Sequence, residues 1–136
     1  MKKLSTLFLV LSLVFSCGEN AIDPEFCPPN LVCTEEIRYL TFSPLVNGEA
    51  LILDDYYVRN MDTGVIYQAS TLNEVLEDGQ YLVVSDVMKD EIQREGTVLR
   101  FVGAKDNQVV IEQDFLVGDD CCHIKAIEGP FDSETE

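Results

Sequence analysis

The chain has 136 residues, of which 25 are Asp or Glu and 9 are Lys or Arg, for a formal charge of −16 with a single histidine. That length suits one domain of ordinary size. The charge argues against nucleic acid as a partner, because binding phosphate takes clustered Lys and Arg that displace counterions. It also argues against lying flat on an anionic membrane surface.

The first segment reads as a secretory leader. Lys2 and Lys3 form a short positive stretch, residues 4–15 are apolar apart from Ser5, Thr6 and Ser12, and Val14-Phe15-Ser16-Cys17 follows. This layout is too short for a spanning helix of roughly 20 apolar residues. A cysteine after a small residue at the cleavage point resembles the bacterial lipobox, although Phe15 is bulkier than that pattern usually carries. The resemblance implies removal of residues 1–16 and acylation of Cys17, each buried methylene of the lipid contributing about 0.8 kcal/mol to membrane binding. Loss of Lys2 and Lys3 with the leader takes the formal charge from −16 to −18.

Residues 17–32 read as a lipidated tether, with Pro24, Pro28 and Pro29 and no periodicity. Residues 33–131 form the expected domain. Short apolar runs between turn signals dominate it, which marks an all-β fold. The first strand is expected over residues 36–42, and Asn47-Gly48 then supplies the positive φ values of a tight hairpin. Residues 50–54 and 56–59 are the next strands, readable as one bent strand, and Asp62-Thr63-Gly64 turns into residues 65–68. Thr71 and Glu74 have capping-box spacing for one helical turn, ended by Asp78-Gly79. Residues 80–85 are a strand, and residues 86–96 are a loop or short helix.

Residues 97–102 and 108–117 predict a hairpin around Lys105-Asp106-Asn107. In its second strand Val109, Ile111, Phe115 and Val117 fall on one face, and Val110, Glu112, Asp114 and Leu116 on the other. Gly118-Asp119-Asp120 turns into a last strand over residues 121–127, ended by Gly129-Pro130. Residues 132–136, with Asp132, Glu134 and Glu136, are expected to be an acidic disordered tail. About seven strands predict a two-sheet Greek-key β-sandwich, with a closed barrel as the alternative.

Cys27, Cys33, Cys121 and Cys122 remain once Cys17 is assigned to lipid, an even number in an exported and hence oxidising setting. Three readings compete. In the first, the last strand is stapled to the entry segment through Cys33, alone or together with Cys27, bonded to Cys121 and Cys122. Such a bridge closes a loop of about ninety residues, for which the chain-entropy estimate is on the order of 4 kcal/mol against a total stability of about 5–15 kcal/mol. In the second, Cys27 bonds Cys33 and the vicinal pair stays reduced or closes on itself. In the third, the four cysteines and His123 bind zinc or copper. Against that stand the wide C-x5-C spacing and the divergence of neighbouring side chains on a strand. No metal is therefore assigned, and Cys121, Cys122 and His123 are only the residues a metal would use.

On the predicted last strand Cys122 faces inward with Ile124 and Ala126, while Cys121, His123 and Lys125 share the outer face. No Ser-His-Asp or Cys-His pattern surrounds His123, so no catalytic residue and no cofactor is assigned. The acidic pairs Glu35-Glu36, Asp54-Asp55, Asp90-Glu91 and Asp119-Asp120 lack calcium-loop spacing. Tyr39, Tyr56, Tyr57 and Tyr67 read as core or cross-strand aromatics, or as a binding patch.

The lipobox residues 14–17, the strand Asp78-Gly79-Gln80-Tyr81-Leu82-Val83 and Asp120-Cys121-Cys122-His123 carry a wider resemblance. The chain resembles small bacterial outer-membrane lipoproteins with an immunoglobulin-like or transthyretin-like (carboxypeptidase-regulatory-like) sandwich. That resemblance implies a non-enzymatic module in the cell envelope, anchored through Cys17, with a binding or structural role toward a protein or glycan partner. Gly18 after the lipid cysteine implies the outer membrane. The alternative function is an envelope thiol-redox or metal-handling protein using Cys121, Cys122 and His123.

Overall fold

The computed structural model describes residues 27–68 and 76–132. The leader, Cys17, the first part of the tether, the Thr71–Glu74 helical turn and residues 133–136 lie outside the described residues. Among those described, the fold is mostly β, in several antiparallel sheets and with no long helix. Among the described residues, no helix is long and apolar enough to cross a membrane.

Nine strands are described: β1 (Tyr39–Phe42), β2 (Leu45–Val46), β3 (Glu49–Ala50), β4 (Asp55–Asn60), β5 (Ile66–Gln68), β6 (Tyr81–Ser85), β7 (Thr97–Lys105), β8 (Gln108–Asp119) and β9 (Ile124–Glu128). Five of them form one sheet in the order β5-β4-β7-β8-β9, while β1 pairs with β6 and β2 with β3. Residues 86–96, ambiguous in the sequence, begin with a 3-10 helix over Asp86–Glu91.

The turns follow their sequence signals. Asn47 (φ 53°) and Gly48 (φ 84°) join β2 to β3, and Asp106 (φ 51°) and Asn107 (φ 59°) join β7 to β8. Two successive positive φ values give the twist that an antiparallel hairpin accepts, and Asn, Asp and Gly adopt them at least cost.

The core lies where β1 and β6 meet one face of the large sheet. Phe42 sets its ring edge-on to Phe101 and Phe115, with centroids 5.4 and 5.2 Å away. Tyr56 stacks on Phe101 at 5.1 Å and meets Tyr81 edge-on. Val58, Leu99, Val117 and Ile124 close the layer and are fully buried. Such aromatic pairs add about 0.5–1.5 kcal/mol each beyond the area they bury.

The expected inner face of β8 holds for Ile111, Phe115 and Val117, but Val109 is 60 % exposed. The register shifts between Gly103 and Ala104, which pair with Ile111 and Val109, so Val110 is an extra residue in the ladder. Beyond that bulge the alternation loses contact with the core.

Of the strand expected over residues 50–54, only Ala50 lies in one, as the end of β3, and residues 51–54 do not continue it. Their backbone amides reach three separate partners instead of one ladder: Leu51 N donates to Pro44 O, Leu53 N to Tyr81 Oη, and Asp54 N to Ala104 O. Gly103 makes room for this crossing, since a Cβ there would meet Leu53 Cδ1 at 2.5 Å.

The last strand also begins later than expected. Residues 121–123 are a bend, with Cys121 at φ 80°, and β9 starts at Ile124. The acidic pair before the cysteines explains this. Asp119 Oδ1 accepts Cys121 N at 2.8 Å, and Asp120 Oδ1 accepts Cys122 N and His123 N at 3.1 and 2.7 Å. Short carboxylate side chains thereby take the amides that a ladder would have used. His123 is consequently buried, not outward-facing, while Ala126 is exposed.

Asp132, where the sequence reading starts the acidic tail, is part of the ordered fold. Its N–H donates to Thr41 O, and its carboxylate accepts from Ser43 Oγ and Gln80 Nε2.

Candidate functional site

The polar groups converge where the N-terminal segment, the start of the 3-10 helix and the bend before β9 meet. Residues 28–38 are exposed throughout, so burial cannot hold them in place. Two disulfides do. Cys27 bonds Cys121 and Cys33 bonds Cys122, with Cα atoms 5.6 and 5.2 Å apart and sequence separations of 94 and 89. Of the three readings open in the sequence, the first is the one observed; it includes Cys27, and it takes the connectivity Cys27–Cys121 and Cys33–Cys122, which the sequence left open.

Asp86 is the hub. Its Oδ2 accepts Arg38 N at 2.8 Å and His123 Nδ1 at 2.7 Å, and its Oδ1 accepts Ile124 N at 2.8 Å. The Asp86 N–H returns a bond to Arg38 O. Burial alone would raise the pKa of this carboxyl. The Arg38 backbone N–H, His123 and the Ile124 N–H outweigh that effect and hold it below the ordinary aspartate value.

A carboxylate only accepts, so the proton between the two groups sits on His123 Nδ1. In the neutral imidazole, His123 Nε2 is then the acceptor for the Thr34 hydroxyl, whose Oγ1 lies 3.0 Å away. The side chains of His123 and Asp86 are 7 % and 14 % exposed, whereas Thr34 is open to solvent.

A second cluster adjoins the first disulfide. The Arg94 guanidinium touches Cys27 Sγ, Arg94 Nε lies 3.6 Å from Asp119 Oδ1, and Lys89 Nζ donates to Cys121 O. Ligand-type atoms of Cys27, Asp119 and Cys121 lie within 4.8 Å of one another. Bonded to each other, the two sulfurs have lost the thiolate that a soft metal binds. The candidate set of Cys121, Cys122 and His123 is not brought together on one ion-sized centre. Each sulfur has its own cysteine partner, and the imidazole is bound to Asp86 and Thr34.

The remaining sequence candidates separate. Asp54 Oδ2 accepts Asp106 N beside the β7–β8 turn, while Asp119 and Asp120 lie at the far end of the twelve-residue β8. Tyr56 packs in the core, while Tyr67 bonds Glu91 through its hydroxyl. Burial, and then the Glu91 carboxylate, pushes the Tyr67 hydroxyl up to about 12.

Sequence reading missed Thr34 and Asp86 altogether. They stand 89 and 37 residues from His123, and no local spacing could have flagged either. The available signal was indirect: Asp119-Asp120 beside Cys121-Cys122 forecasts a capped bend instead of a strand.

Comparison with protein-family models, curated proteins and solved structures returns no match.

Proposed function

We propose that the protein is a lipid-anchored module of the bacterial cell envelope, attached to the outer membrane through Cys17. On this reading its domain is a β-sandwich of immunoglobulin-like or transthyretin-like type. Its role is binding or structural, toward a protein or glycan partner, with no catalytic turnover of its own.

The observation that carries this reading is the pair of disulfides joining the proline-containing segment to the bend before the last strand. Disulfides persist in exported proteins, where a leader ending at Cys17 would deliver the chain. The lipid would also hold a strongly acidic body at a membrane whose anionic headgroups would otherwise repel it. The packing of Phe42 and Tyr81 from the small sheet against Phe101, Phe115 and Tyr56 of the large one supports the sandwich. Leu45 and Val46, 64 % and 51 % exposed on the short β2–β3 hairpin, give a partner an apolar contact point.

Labelling with radioactive palmitate tests the anchor. Incorporation into the wild-type chain, lost in Cys17→Ala together with membrane fractionation, is the expected result. A soluble, unlabelled wild-type chain would remove the anchor from the reading. Intact mass without reductant tests the staples. A chain carrying free thiols and a bound metal would replace this reading with the thiol-redox or metal-handling alternative at Cys121, Cys122 and His123.

A further inference from the structure

Three side chains from segments remote in sequence line up at the staple: Thr34 Oγ1 lies 3.0 Å from His123 Nε2, and His123 Nδ1 lies 2.7 Å from Asp86 Oδ2. The geometry points to Thr34 as an acyl acceptor that takes the acyl group of a small activated ester, with His123 as its general base and Asp86 as a positioning residue.

A hydroxyl is a weak nucleophile until a base sits within hydrogen-bond reach and a third group orients that base, and these roles are recognised by geometry, not by order in the chain. The division of exposure suits the chemistry. Thr34 opens to solvent, where an ester can reach it, while His123 is 6 % exposed and the Asp86 side chain 14 %. Asp86 cannot swing away, because Arg38 N and Ile124 N bind its two oxygens. His123 is fixed at its own backbone, where its N–H donates to Asp120 Oδ1 at 2.7 Å.

The staple supplies the remaining constraint. Cys33 bonds Cys122, and the next residue on each side, Thr34 and His123, forms the nucleophile–base contact. The disulfide therefore holds an exposed segment against a buried base.

In the reaction, Thr34 Oγ1 forms a bond to the ester carbonyl carbon as its proton passes to His123 Nε2. The bond from that carbon to the leaving oxygen then breaks, its electron pair stays on the leaving oxygen, and the proton on Nε2 is returned to it. The products are an acyl ester on Thr34 and a free alcohol or phenol. One such capture per chain is stoichiometric and stands beside a non-enzymatic role.

The test uses the full chain, produced in an oxidising compartment, and p-nitrophenyl acetate as the probe, read by intact mass and peptide mapping. A single acetyl group on Thr34 is expected, formed at least about 100-fold faster than on the same residue in the reduced, urea-unfolded chain, as general-base assistance implies. Thr34→Ser should keep the modification and Thr34→Ala should lose it, both with unchanged circular dichroism. Asp86→Asn should slow acetylation and alter its pH profile, as a misplaced imidazole proton would. Opening the neighbouring staple with Cys33→Ala and Cys122→Ala should slow it as well. Acetylation of other residues with Thr34 untouched would overturn the assignment. So would modification of Thr34 no faster than in the unfolded chain, which would leave the Thr34–His123 bond as a structural latch.

Discussion

The aromatic interface between the sheets and the stapled N-terminal segment hold their parts of the molecule by opposite means. At the interface Phe42, Tyr81, Phe101 and Phe115 are buried and touch one another, with no charge among them. At the staple residues 28–38 are exposed, and order comes from two covalent bonds and the hydrogen bonds of Asp86, His123 and Asp120. Burial of apolar area stabilises without regard to direction, so the interface tolerates shape changes in proportion to lost volume. Disulfides and charge-assisted hydrogen bonds are directional and few, so the staple should fail in discrete steps.

The largest effect should come from the interface. Phe101→Ala removes a fully buried ring that meets Phe42, Tyr56 and Tyr81, and should cost about 3–5 kcal/mol. Urea unfolding followed by circular dichroism reads this directly. If the two regions are independent, the loss is the same with the disulfides intact or reduced; a strong difference would show that they are one cooperative unit.

Next comes the staple. Replacing Cys33 and Cys122 together by alanine leaves the long loop closed by Cys27–Cys121 but frees the short ring between the two bridges, and should cost about 2–4 kcal/mol. Hydrogen exchange should rise, and proteolysis should appear, first within residues 28–38. Amides in β7 and β8 should keep their protection relative to one another. Uniform loss of protection across the large sheet would refute the division drawn between the two regions.

A smaller effect is expected at Asn60, which is buried yet polar. Its Oδ1 accepts Asp62 N and Thr63 N, and its Nδ2 donates to Glu91 O at 3.2 Å. Asn60→Ala leaves these groups without their partner and should cost about 1–3 kcal/mol. Asn60→Asp should retain the two accepted bonds while losing the one to Glu91, so it separates the turn from the helix contact.

The same contrast decides what could be read from the sequence. Hairpins built on Asn47-Gly48 and Asp106-Asn107 are local, since the residue pair itself sets the backbone. The inward residues Phe115 and Val117 follow from alternation along β8, and that alternation failed only past the bulge at Val110, which nothing in the sequence marks. The staple is non-local. Asp86 reads as an ordinary residue in a polar stretch until the fold brings Arg38, His123 and Ile124 to it. Cys121 and Cys122 read as strand residues by alternation, which is blind to the Asp119 and Asp120 carboxylates that take their amides. Period-2 patterning reports burial on a regular surface. It carries no information about side chains that replace the ladder with bonds of their own.

The smallest effect is the pH dependence contributed by Asp86, and it bears on the staple alone. Hydrogen bonds from Arg38 N, His123 and Ile124 N hold the folded pKa of this carboxyl below its unfolded value, near the ordinary 3.8. A group depressed in this way stabilises the fold at every pH above the unfolded value, and that contribution drains away as the pH falls through the folded one. The wild-type chain should therefore lose stability below roughly pH 4, and Asp86→Asn should flatten that acid limb in a difference plot of the two unfolding midpoints. Asp114, also depressed, pairs with Arg100 on the exposed part of the sheet and is present in both chains, so it cancels in the difference. The site of the change should be equally specific. Exchange in residues 28–38 and at Ile124 should respond to acid in the wild type, whereas the amides of Leu99 and Phe101 should not. Acid sensitivity spread evenly through β7 would mean that Asp86 supports the whole domain, and the separation between packed interface and polar staple would have to be given up.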